Sequence, residues 1–309
     1  MRIVFMGSPE FALPSLRACI ARHQVVLAVA QPDKPAGRGR EMTRPPVAVA
    51  ADAAGIPVFQ PRSARPPEVA ERLKATGAEL AVVVAYGKIL PRGVLEAFPR
   101  GCVNVHGSIL PAYRGAAPVQ WAIIRGERET GVTIMKLDEG MDTGPMLLER
   151  RVAIGEDETA GQLAARLALV GAEALVEALA AIEAGTAVET AQDSTRASHA
   201  PMLEKAHGQV DWTRTTEEIR NLVRGVDPWP GATTSLGGEP LKLFGATRAA
   251  GQGGAEPGSV LAIGPDGVVV ATGDGAVRIA ELQAPGKRRM TAAELARGRP
   301  LGPGTRLGS

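Results

Sequence analysis

The chain has 309 residues, 45% hydrophobic and 22% charged, with only 3% aromatics and a net charge of +2. This is the composition of an ordinary globular protein, and it sets up no global field for nucleic acid. Two cysteines without a C-x-x-C pair and four dispersed histidines argue against a disulfide framework or a zinc cluster, and no apolar run reaches membrane-spanning length.

The length suits two domains. Residues 2–6 form an apolar strand at the very start, which leaves no room for a signal peptide and sets the expectation of a cytoplasmic enzyme. Gly7 breaks the strand, Ser8 is a candidate helix cap, and Pro9 suits the first helical position. Phe11, Leu16, Cys19 and Ile20 then approximate a helical stripe. Strands are predicted at 25–30, 56–59, 80–85 and 102–106, with helices near 45–54 and 66–76 and a short one before 102. This βαβ rhythm predicts an open, doubly wound, mostly parallel sheet of Rossmann-like type.

The rhythm then changes. Residues 132–137 and 146–154 read as an antiparallel hairpin around a turn at 138–145, followed by an Ala/Leu-rich helix over 159–184. The polar stretch from 185 to about 205 has few periodic apolar positions and reads as a linker. A helix at 216–223 precedes short strands at 232–236, 241–246, 258–263, 267–271 and 276–282, separated by glycine pairs and Asp-Gly turns. That spacing predicts a small β barrel, OB-like in type. The expected division is a catalytic domain over 1–188, a linker over 189–205 and a barrel domain over 206–309.

Asn104 and His106 stand two apart in the apolar run 102–106, so they share one face of a strand. Gly107 and Pro111 end the run at the edge of the sheet where α/β folds bind ligands. An aspartate from the 138–144 turn can complete an amide, imidazole and carboxylate set suited to acyl transfer without a metal or a covalent nucleophile. Asp138, Glu139 and Asp142 compete for that place, and spacing does not choose among them. The blander alternatives are that Asn104 and His106 satisfy loop backbone and that the aspartate closes its own turn. Gly7-Ser8-Pro9 lacks the G-x-G-x-x-G glycines of a dinucleotide site, and Asp33 is followed by Lys34-Pro35, so a nicotinamide cofactor is disfavoured. The loop 34–40, with Lys34, Arg38 and Arg40 and then Arg44, offers cations for phosphates, as does Lys287-Arg288-Arg289. The first group reads equally as a mobile solvated loop, and the second, taken alone, reads as a solvated turn.

Several segments together resemble the folate-dependent formyltransferases, and within them the methionyl-tRNA formyltransferase family. They are Asn104-Val105-His106-Gly107-Ser108-Ile109-Leu110-Pro111, Tyr113-Arg114-Gly115-Ala116-Ala117-Pro118, Met141-Asp142-Thr143-Gly144, Pro35-Ala36-Gly37-Arg38-Gly39 and Asp227-Pro228-Trp229-Pro230. The resemblance spans nearly the whole chain. It implies Asn104, His106 and Asp142 as the catalytic trio and Ser108, Ile109, Leu110 and Pro111 as the folate segment. It further implies a basic loop bearing Arg38 that meets the acceptor end of initiator tRNA, and a barrel that contacts the tRNA. The donor implied is 10-formyltetrahydrofolate, with no metal. The partners implied are methionyl initiator tRNA and the folate, with no membrane and no obligate protein partner. Ile109 stands where the family more often has Leu. Other formyl-group enzymes, a catalytically dead tRNA-binding module and a dehydrogenase remain the competing readings.

Overall fold

The structure is a computed structural model that describes residues 1–36, 41–250 and 254–308. It contains two compact units. One comprises Met1–Pro118, Thr130–Val152 and Ala164–Ala200, the other Val119–Glu129, Ala153–Leu163 and Pro201–Ser309.

In chain order the elements are β1 (Arg2–Gly7), α1 (Leu13–Arg22), β2 (Gln24–Val29), β3 (Lys34–Ala36), β4 (Glu41–Thr43), α2 (Pro46–Ala53), β5 (Val58–Phe59), α3 (Pro67–Lys74), β6 (Leu80–Val84), α4 (Arg92–Leu95) and β7 (Cys102–His106). Then come β8 (Arg114–Gly115), α5 (Pro118–Ile124), β9 (Glu129–Lys136), β10 (Met146–Ala153), α6 (Ala160–Ala184) and β11 (His199–Ala200). The main sheet runs β10-β9-β7-β6-β1-β2-β5. Pairing is parallel from β5 through β7 and turns antiparallel at β9. Every residue of β6 and β7 is buried, which is why these strands read as continuous apolar runs rather than alternating ones. One face packs Val4, Met6, Val83 and Cys102 against Val69 and Leu73 of α3 and Val94 of α4. Both cysteines are buried and unpaired, and burial pushes their thiols up to about 12.

Two local expectations are corrected. Ser8 caps no helix: a 3-10 turn over Glu10–Ala12 comes first, α1 starts at Leu13 with a proline in its first turn, and the Ser8 hydroxyl accepts the Gln31 N–H at 3.0 Å. The segment read as a linker is ordered at its core. Thr190 and Met146 exchange both backbone hydrogen bonds at 2.8 Å, and β11 pairs in parallel with β8.

The second unit carries α7 (Thr216–Gly225), β12 (Ala232–Leu236), β13 (Glu239–Ala249), β14 (Val260–Gly264), β15 (Gly267–Ala271), β16 (Ala276–Gln283), β17 (Met290–Thr291) and α8 (Ala292–Ala296). Its antiparallel sheet runs β12-β13-β16-β15-β14, and β17 adds to β16. Residues 305–308 join the two edges: Gly308 donates to Ser235 O at 3.0 Å, Leu307 to Gly258 O at 2.8 Å, and Val260 donates to Thr305 O at 2.8 Å. That tail closes the sheet into a barrel, a pairing with no local sequence signal. Among the described residues, no helix is long and apolar enough to cross a membrane.

Candidate active site

β7 presents Asn104 and His106 on one face because strand side chains alternate. Its register places Asn104 opposite Met135 and His106 opposite Thr133 of β9. Both polar residues are nearly buried, at 9% and 5% exposure. His106 Nε2 lies 2.9 Å from the Tyr113 carbonyl. A carbonyl only accepts, so Nε2 carries a hydrogen and Nδ1 is the atom left for proton exchange. Nδ1 lies 3.7 Å from Asp142 Oδ2. Among the described residues, the Asn104 amide has no hydrogen-bond partner in the protein, so its donor is available to a ligand.

The structure separates the three acids that spacing could not. Asp138 Oδ1 accepts from Gly140 N–H at 3.0 Å and from the Thr143 hydroxyl at 2.7 Å, so Asp138 builds the turn. Glu139 is exposed and lies 3.9 Å from Arg92. Asp142 faces His106, and its Oδ2 accepts the Gly115 N–H at 2.8 Å. Asp142 sits at φ +54° and Tyr113 at φ +62°, a left-handed conformation that costs a non-glycine residue about 1–2 kcal/mol. Such strain persists only where the surroundings enforce it, and it concentrates at functional sites. Gly115 is at φ +120°, and a Cβ there would stand 2.7 Å from Ala200 O. Only glycine can bring that N–H to Asp142.

Within the 108–111 segment, Ser108 is fully buried and donates its hydroxyl to Ala112 O at 2.6 Å. Thr133 Oγ1 donates to Ser108 O at 2.7 Å and accepts the Leu110 N–H at 3.1 Å. Ser108 and Leu110 therefore shape the loop from inside, and Ile109 and Pro111 are its half-exposed members. Sequence reading missed Gln192. Its Oε1 accepts from Arg114 Nε at 3.1 Å and Nη2 at 2.7 Å, while its Nε2 donates to the carbonyls of Asp142 and Gly144, both at 2.8 Å. A neutral amide in a polar run carries no signal that spacing could have used. Among the described residues, no group of three or more His, Cys, Asp or Glu is placed to hold a metal ion.

The formyl transferase family model matches residues 1–179, and the model of the formyl transferase C-terminal domain matches residues 202–300. A methionyl-tRNA formyltransferase from Trichlorobacter lovleyi is 49% identical over 307 residues, covering 99% of this chain and 96% of that protein. The chain belongs to the methionyl-tRNA formyltransferase family. Among solved structures, HypX from Aquifex aeolicus in complex with tetrahydrofolic acid has a TM-score of 0.66 at 22% identity, covering 96% of this chain but 46% of that one. The chain thus spans about half the length of that neighbour. An N-formyltransferase from Helicobacter canadensis, in complex with folinic acid and dTDP-3-aminofucose, has a TM-score of 0.70 at 19% identity, covering 91% and 99%. At such identities these two structures show a shared fold.

The basic residues that the sequence offers for phosphates fare unequally. Arg38 and Arg40 lie outside the described residues. Lys34 is exposed on β3, which pairs antiparallel with β4 and flanks that loop. Arg44 is committed elsewhere, to Asp52 at 2.8 Å and Gln60 at 3.0 Å. Asp33 Oδ1 accepts from Gln60 at 2.7 Å. In the second unit Lys287 is exposed, but Arg288 pairs with Glu294 at 2.7 Å. Arg289 pairs with Asp227 at 2.9 Å and stacks 3.5 Å over the Phe244 ring. Among the described residues, Lys287 therefore has no ion-pair partner, whereas Arg288 and Arg289 serve internal contacts.

Proposed function

We propose that the protein transfers the formyl group of 10-formyltetrahydrofolate to the α-amino group of methionine on initiator tRNA, in the cytoplasm. The observation that carries this reading is the free amide of Asn104 beside a His106 ring set between the Tyr113 carbonyl and the Asp142 carboxylate. It stands in a chain 49% identical, almost end to end, to a methionyl-tRNA formyltransferase.

The donor supplies a formyl group already bonded to nitrogen, and the site's groups fit such a carbonyl. Asn104 offers an N–H to the formyl oxygen as negative charge develops there, and a donor of this kind contributes about 2.7–4 kcal/mol in acyl transfer. The one hydroxyl in the 108–111 segment is spent on Ala112 O, so transfer runs directly from nitrogen to nitrogen. The amine forms its bond to the formyl carbon, the carbon–N10 bond breaks, and N10 ends protonated. His106 Nδ1 and Asp142 stand where the amine's proton can be taken up and passed on. An imidazolium at His106 donates to Tyr113 O and faces the Asp142 carboxylate, which stabilises it. Ile109 and Pro111 contact the folate from the loop after β7. The tRNA is met by Lys34, Arg38 and Arg40 from the first unit and by the barrel, where Lys287 is exposed.

The test is incubation with 10-formyltetrahydrofolate and methionyl initiator tRNA, with free methionine and uncharged tRNA as controls. Transfer to the charged initiator alone is the expected result. Folate breakdown without transfer to tRNA would reassign the trio to a hydrolase or to another formyl acceptor.

A further inference from the structure

We propose that Gln192 is a positioning residue for formyl transfer, acting through the Asp142 turn. The inference rests on Asp142 taking part in the transfer. The carboxamide uses its entire hydrogen-bonding capacity: two N–H groups to the Asp142 and Gly144 carbonyls and two lone pairs to Arg114. The assignment of its oxygen and nitrogen is unambiguous, because a guanidinium only donates and a carbonyl only accepts. Arg114 is itself buried and adjoins Gly115, whose N–H holds Asp142 Oδ2. A ring results: Gln192 fixes the backbone of Asp142 from one side, and the residue next to Gln192's other partner fixes the carboxylate from the other.

The same segment also holds the opposite edge of the imidazole. The Ser198 hydroxyl accepts the Tyr113 N–H at 2.9 Å, and Ser198 O accepts the Arg114 N–H at 2.8 Å. Tyr113 O is the partner of His106 Nε2. Residues 192–198 therefore set both neighbours of His106 without touching it. Asp142 needs such support, since its left-handed backbone is strained and its carboxylate makes no hydrogen bond with the ring at 3.7 Å.

The obvious variant, Gln192→Ala, strands the buried Arg114 guanidinium and tests folding as much as catalysis. Gln192→Glu keeps acceptors for Arg114 and removes both donors to the turn. Gln192→Met keeps the volume and removes both ends. Steady-state transfer is measured for each, alone and combined with Asp142→Asn, alongside thermal unfolding. Gln192→Glu is expected to stay folded and lose about ten- to a hundredfold in kcat, with KM for folate and tRNA within threefold. In the Asp142→Asn background the further loss is expected to shrink below twofold. A purely structural role predicts an active Gln192→Glu, since Arg114 stays paired. Gln192→Glu within twofold of the parent kcat overturns the proposal, as does a full multiplicative loss in the double variant. Should Gln192→Met unfold, the Gln192→Glu arm decides alone. A fully active Asp142→Asn overturns the reading of the site itself, and an inactive Asp142→Asn beside an active Gln192→Glu overturns only this inference.

Discussion

Arg220 of α7 and His106 of β7 are both buried, at 3% and 5% exposure, in surroundings that differ in kind. Arg220 reaches Glu217 at 3.0 Å, Asp157 at 3.0 Å and the Glu156 carbonyl. One turn on, Arg224 is held by Asn221 Oδ1 at 2.8 and 3.0 Å and by the carbonyls of Gly155 and Glu158. These guanidiniums spend their donors within the protein. Around β7 the pairing is incomplete: Asn104 has no protein partner among the described residues, and the imidazole and Asp142 stop short of hydrogen-bond distance. Burying a polar group costs free energy unless it is paired, so an amide left without a protein partner on β7 is open to one from a substrate. The first cluster is saturated within the protein, and the second leaves groups open to a ligand, as its proposed role in formyl transfer requires.

Substitutions can break this contrast, beginning with the largest effects. His106→Ala is expected to lower kcat about 10²–10⁴-fold, and Asn104→Ala about 10²–10³-fold, with melting temperatures near the parent's. A variant of either that keeps near-normal turnover dissolves the distinction. Arg220→Ala is expected to do the reverse, costing about 1.5–3 kcal/mol in denaturant unfolding through lost charged hydrogen bonds while kcat per folded molecule holds. Asn221→Ala strips Arg224 of an acceptor and costs about 1–3 kcal/mol on the same assay. Cys19 and Cys102, with thiols pushed up to about 12, stay protonated at neutral pH, so alkylation should label neither until the chain unfolds. The smallest effect falls on Ser15, whose buried hydroxyl has no partner among the described residues. Ser15→Ala should be neutral or stabilising by up to about 1 kcal/mol, and a clear loss would reveal a hidden partner.

The same contrast explains what the sequence made legible. Asn104 and His106 could be put on one face because a strand's side-chain period is two and β7 is short and uninterrupted. The sheet rhythm was readable for the same reason, through continuous runs such as Leu80–Val84. Asp142 could not be told from Asp138 or Glu139, because the choice depends on Gly115, 27 residues earlier in the chain. Gln192 and Ser198 were invisible, since a polar stretch around long-range hydrogen bonds looks the same as a solvated linker. The internal contacts of Arg289 carry no local signal, because its partners, Asp227 and Phe244, come from 62 and 45 residues away. The Ser8 cap failed locally: the hydroxyl had a competing backbone donor at Gln31.

The tail over 305–308 has a consequence for how the molecule behaves in company. By hydrogen-bonding to Ser235 on one side and to Gly258 and Val260 on the other, it occupies both open borders of the second sheet. A proteolytic nick just before Thr305 that releases the tail would expose two ladders of unpaired backbone groups at once, and such ladders recruit strands from other molecules. Light scattering after tail removal is therefore expected to rise, as the freed borders pair between molecules.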